Sequence, residues 1–134
     1  MPQHRSLNFR FPTRAVLGDQ HPRGEVFAQK LQVAVSRVHT ISQPIDNWRD
    51  CGWEFVFTPE GEEYSCVLSV LDDDTTLIQV APKREPNVVL RLFGQRRSAT
   101  DAGIERRRNE FLKILRDTLR IENIAFAYDR SPLL

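Results

Sequence analysis

Carboxylates and guanidinium groups are the chemistry this sequence concentrates, and it keeps them apart. Between Asp46 and Asp74 stand nine acids (Asp46, Asp50, Glu54, Glu60, Glu62, Glu63, Asp72, Asp73 and Asp74) against one base, Arg49. From Arg91 to Arg120 stand nine bases (Arg91, Arg96, Arg97, Arg106, Arg107, Arg108, Lys113, Arg116 and Arg120) against four acids. The formal net charge of +1 therefore conceals about −8 in the first stretch and about +5 in the second. Charge separated in this way steers or binds a charged partner, or drives head-to-tail self-association. Glu54, Glu62, Glu63, Asp72, Asp73 and Asp74 are the candidate contacts for a basic protein partner. Arg96, Arg97, Arg106 and Arg107 are the candidate contacts for the phosphates of RNA or DNA. A sequence pI near 7.9 and the lack of an RRM, KH or zinc-finger signature make that second reading the alternative.

The basic stretch also reads as a solvated helix face. Glu105 with Arg108, Arg106 with Glu110 and Lys113 with Asp117 stand three or four residues apart, pairs worth a few tenths of a kcal/mol each. Arg108 differs, because at about 100° per residue it falls between Ile104 and Leu112, inside the apolar stripe. Arginines so placed snorkel at the helix edge, or, if buried, require a carboxylate.

Other chemistry is thinly supported. His4, His21 and His39 are scattered and form no metal-ligand spacing with Cys51 and Cys66. The Asp72-Asp73-Asp74 run lacks the ligand alternation and distal glutamate of a calcium loop. No Gly-x-Ser-x-Gly elbow, phosphate-binding loop or His-Glu-x-x-His occurs, and a Glu54/Glu63 carboxylate pair is too ordinary in an acidic hairpin to indicate catalysis. No metal and no cofactor is expected, and an enzyme is the third reading of function.

The elements that must carry these groups follow from periodicity. Cys51, Trp53, Phe55 and Phe57 alternate with Gly52, Glu54 and Val56; Tyr64, Cys66, Leu68 and Val70 form a second apolar face. Their faces coincide only when odd residues pair with even ones, and closure around Glu60-Gly61 pairs Phe57 with Tyr64, Phe55 with Cys66 and Trp53 with Leu68. A three-residue turn at Asp72-Asp73-Asp74 then pairs Val70 with Thr76, Leu68 with Ile78 and Cys66 with Val80. In this register Cys51 and Cys66 stand about four positions apart, too far for a disulfide. The result is a three-strand meander over residues 53–81.

Phe27, Leu31, Ala34, Val38 and Ile41 recur at helical spacing and predict a helix over residues 25–41. Ile104, Phe111, Leu112, Leu115 and Leu119 predict a second helix over residues 100–120, capped by Ser98 or Thr100. Leu7, Phe9 and Phe11 share one side of a segment that Pro12 stops, which reads as an edge strand or as an arm that docks on a partner. Val88–Phe93 reads as extended, and residues 124–128 as a short last strand. The expected fold is α+β: an antiparallel meander of at least three strands packed on one face by an N-terminal and a C-terminal helix.

A length of 134 residues suits one domain, able to bury about two-thirds of its unfolded surface. No apolar run approaches the roughly 18 residues of a spanning helix, and no apolar core follows the first residues, so no membrane association is expected and the cytoplasm is the expected location.

The segment Asp46-Asn47-Trp48-Arg49-Asp50-Cys51-Gly52-Trp53, with the acidic hairpin behind it, resembles small uncharacterised bacterial α+β proteins that carry a Gly-Trp before a similar meander. The resemblance spans residues 25–82 and implies no activity. The order helix, meander, helix is similar to that of secretion chaperones and some toxin-immunity proteins. The leading expectation is a non-catalytic protein-interaction module of immunity-protein or chaperone-adaptor type, using the acidic sheet face; a homo-oligomer is a further expectation.

Overall fold

The computed structural model describes residues 6–12, 24–49, 52–59, 61–71, 75–83 and 101–129. In chain order these form β1 (Ser6–Pro12), α1 (Glu25–Ser36), β2 (Thr40–Trp48), β3 (Gly52–Thr58), β4 (Tyr64–Val70), β5 (Thr75–Pro82), α2 (Asp101–Lys113) continued by a π-helical turn (Ile114–Thr118), and β6 (Ala125–Asp129). The strands build one six-stranded sheet in the order β2-β3-β4-β5-β1-β6, with every neighbouring pair antiparallel. The expected α+β architecture is the observed one.

The meander keeps the register that its faces demand. Phe57 pairs with Tyr64, Phe55 with Cys66 and Trp53 with Leu68. Across the next turn Val70 pairs with Thr76, Leu68 with Ile78 and Cys66 with Val80. Gly61, where the first hairpin reverses, takes φ of 81°, in the left-handed region that glycine enters without a Cβ penalty. The inward face is buried: Phe55, Phe57, Tyr64, Cys66, Leu68, Ile78 and Val80 join Phe27, Leu31, Ala34 and Val35 of α1 and Ile104, Phe111, Ile114 and Leu115 from α2 and its π-helical turn in one core. Both helices therefore cover one face of the sheet, as an open sheet with an apolar face requires.

Three expectations need correction. First, β1 is not an edge strand: it lies between β5 and β6, with Phe9 opposite Ile78 on one side and Phe126 on the other. Its alternation gave no sign of this, because the polar side of the strand is buried too, Ser6 and Asn8 included, with Ser6 donating to Asn8. Second, α1 stops at Ser36, where the N–H groups of Val38 and His39 both close onto Val35. Val38 is then exposed and Ile41 belongs to β2. That strand was hidden because register breaks between Ile41 and Gln43, and again between Gln43 and Asp46, destroy its alternation, and Pro44 interrupts it. Third, the second helix keeps α-helical form only to Lys113; its last turn is π-helical and ends through left-handed Arg120.

Val88–Phe93, the expected cap residues Ser98 and Thr100, His4, His21, Cys51 and Asp72-Asp73-Asp74 lie outside the described residues. No helix among the described residues is long and apolar enough to cross a membrane.

Gly52 opens β3 under a steric requirement. A Cβ added there would sit well inside van der Waals distance of the Leu68 carbonyl oxygen and 2.8 Å from the Ser69 hydroxyl. Backbone cannot yield as a side-chain tip does, so Gly52→Ala is expected to cost about 1–3 kcal/mol by overpacking. Urea unfolding followed by tryptophan fluorescence measures it; an unchanged midpoint would show that β3 and β4 can separate freely there.

Candidate functional site

Five side chains close a ring at the boundary of the core. The turn that ends α1 brings His39 over Phe57 of β3, ring centroids 5.7 Å apart. Phe57 stacks on Tyr64 of β4 at 5.6 Å, and the Arg107 guanidinium of α2 lies 5.9 Å from the Tyr64 ring. One helical turn on, Glu110 faces Arg107, with Nε and Oε1 3.5 Å apart. Its other oxygen, Oε2, is 2.8 Å from His39 Nε2, which completes the circuit. Three elements, β3, β4 and α2, and the α1–β2 connection are tied together at this point.

Arg107 is 5% exposed, the one buried charged residue among those described. Its Nε and Glu110 Oε1 face each other yet neither makes a hydrogen bond. The guanidinium is therefore held by charge and by the face of an aromatic ring, an arrangement whose strength rests on exclusion of water. The His39–Glu110 pair is of the kind that orients an imidazole for proton transfer. Here the described partners of His39 are Glu110 and Phe57, which hold the imidazole from its edge and its face. Chemically the ring is a clamp.

The sequence placed the buried charge one residue away. Arg108, expected inside the apolar stripe, sits at its edge: it pairs with Glu105 and lies 5.6 Å over Phe126 of β6. Arg107, expected on a phosphate-contacting surface, faces the core instead. The signal missed was Ile114, which belongs to the stripe and pulls its centre from Arg108 toward Arg107. Arg106 is exposed and Arg107 buried, so these two do not share one surface, and Arg96 and Arg97 lie outside the described residues.

Of the acidic candidates, Glu54 is half-buried on the sheet face away from the helices and accepts a hydrogen bond from Ser65. Around it on that face Val56, Val67, Ser65 and Ser69 are buried. Glu62 and Glu63 are half-buried in the β3–β4 turn, where the Glu63 carbonyl receives the Lys83 N–H at 2.8 Å. Cys66 is buried in the core; burial first, and the Glu54 carboxylate second, push its thiol far above the usual range, so it stays protonated and unreactive. Among the described residues no group of three or more His, Cys, Asp or Glu could hold a metal ion.

A surface the sequence did not mark lies on α1. Between its outward side and the π-helical turn runs an open groove of about 370 Å³, lined by Val26, Lys30, Val33, Arg37 and Leu119 among others. Val26 and Val33 are 41% and 51% exposed. Their spacing of seven residues, with Lys30 and Arg37 between and beyond them, sets two apolar anchors and two cations on one helix face.

No protein-family model, curated protein or solved structure matches the chain.

Proposed function

We propose that the chain is a non-catalytic protein-interaction module whose α1 groove receives an acidic, amphipathic segment of a partner protein. The observation that carries this is the exposed Val26/Val33 pair in a groove whose charged lining residues, Lys30 and Arg37, are both cationic. An apolar groove rimmed by one sign of charge is complementary to an apolar stripe flanked by the other. Covering the two valines, each roughly half exposed, contributes about 1 kcal/mol apiece, while the cations select the partner. Adaptor roles of the immunity-protein or chaperone kind need only such a docking face.

This moves the proposed contact from the acidic strand and turn to the helix. Glu54 already accepts from Ser65, and Glu62 and Glu63 are half-buried, whereas the groove is open. The clamp of His39, Glu110 and Arg107 serves the reading indirectly, by fixing the end of α1 against α2.

Selection of displayed random peptides against the wild-type chain, with counter-selection against Val33→Glu, tests the reading. Enriched peptides are expected to carry aliphatic residues at helical spacing beside carboxylates, and to lose at least tenfold in affinity for Val33→Glu and for Lys30→Glu. Enrichment of peptides that bind both variants as well as the wild type, or of basic ones, overturns it.

A further inference from the structure

The two edges of the sheet are unequally defended. At one, β2 carries Pro44, which has no N–H to offer a neighbouring strand, and two register breaks that spoil its ladder. At the other, β6 has no proline, lysine or arginine, and among the described residues it pairs on one side alone, with β1. Ala125, Ala127 and Tyr128 are exposed along it. Asp129, its last residue, is its one charge, and the short apolar run before it is a template for another strand.

We propose that β6 is a homodimer interface, in which two copies pair antiparallel through this strand about a two-fold axis at Ala127. The occupant is a second copy because the strand and the helix above it are complementary to themselves. With the axis at Ala127, Phe126 of each copy lies opposite Tyr128 of the other, and all four rings stay on the helix-bearing face. A one-residue slip would set aromatic side chains opposite residues of the other face.

The charges on α2 select the same register. Arg108 lies over Phe126, and Glu105 accepts a hydrogen bond from the Tyr128 hydroxyl at 2.7 Å. Placing Phe126 opposite the second copy's Tyr128 therefore brings Arg108 of each copy beside Glu105 of the other, twice over. An axis at Phe126 would bring the two Arg108 side chains together, and an axis at Tyr128 the two Glu105 side chains. The Ala127 axis alone gives both aromatic pairing and opposite charges. Two six-stranded sheets then join into one continuous sheet with all helices on one side.

Sedimentation velocity from low-micromolar to near-millimolar protein tests the proposal, with circular dichroism to confirm that each variant is folded. The wild type is expected to pass from monomer to dimer. Glu105→Arg and Arg108→Glu are each expected to raise the dissociation constant about tenfold, because like charges then face each other across the axis. The double swap, Glu105→Arg with Arg108→Glu, is expected to return it to the wild-type value. A chain that stays monomeric over the whole range, a dimer indifferent to both single changes, or a double swap that restores nothing overturns the proposal.

Discussion

Replacing Glu110 by alanine is expected to destabilise the fold by about 2–4 kcal/mol, read as a shift of the urea midpoint at constant slope. The carboxylate is the shared partner of two side chains: His39 at 2.8 Å and Arg107 at 3.5 Å. Removing it leaves Arg107, 5% exposed, as a buried cation whose remaining described contact is the Tyr64 ring. A guanidinium stripped of water and counter-charge is among the costliest states a core can hold, and the expected loss falls below the full buried-pair value because the Glu110 side chain itself is 21% exposed. The companion variant separates charge from packing. Arg107→Met combined with Glu110→Leu removes both members and keeps volume, so it is expected to recover most of the loss. A Glu110→Ala cost below about 0.5 kcal/mol, the scale of an ordinary surface change, would show that the ring does not clamp the helices.

That ring shows where sequence stopped being informative. The pairing of Phe57 with Tyr64 and of Leu68 with Ile78 was legible, because a face coupled to a turn length admits one register. The inward faces of Phe27, Leu31, Phe111 and Leu115 were legible for the same reason, at helical period. What periodicity cannot carry is position within the sheet. Leu7, Phe9 and Phe11 alternate like an edge strand, but burial of Ser6 and Asn8 behind them belongs to a strand with neighbours on both sides.

β2 was illegible for the opposite reason. Its breaks and its proline protect an edge, and the device that defends the edge also erases the pattern by which strands are found. Arg107 and Arg108 differ by one residue, about 100° of helix, so the assignment turned on whether Ile114 is counted in the stripe. The charge map was correct as a count of residues, yet it could not say that Glu54 is engaged by Ser65 or that Arg107 is buried. Burial is set by long-range packing, which a linear tally of charge does not contain. The groove on α1 went unmarked because Val26 and Val33 look like ordinary helix residues until the π-helical turn is set beside them.

Phe57→Ala is expected to cost about 3–5 kcal/mol, the largest effect of any single truncation proposed for this chain. Phe57 is fully buried, and its ring lies 5.6 Å from Phe111, 6.2 Å from Phe55, 5.6 Å from Tyr64 and 5.7 Å from His39. It thus joins β3 to α2, to β4 and to the end of α1 at once, and the void left by its ring is bounded by other rings that cannot collapse into it. Phe57→Leu, which refills most of the space, is expected to cost less than half as much. The same contacts predict non-additivity with the charge pair. Without Phe57 the His39 and Tyr64 rings lose their common support, and through them Glu110 and Arg107 lose the surfaces that hold them in place. A double-mutant cycle on Phe57→Ala and Glu110→Ala is therefore expected to give a coupling of about 1 kcal/mol or more, with the second change costing less once the first is made. Strict additivity within experimental error would mean that the aromatic stack and the ionic pair stabilise the fold independently, and that the five side chains touch without acting as one unit.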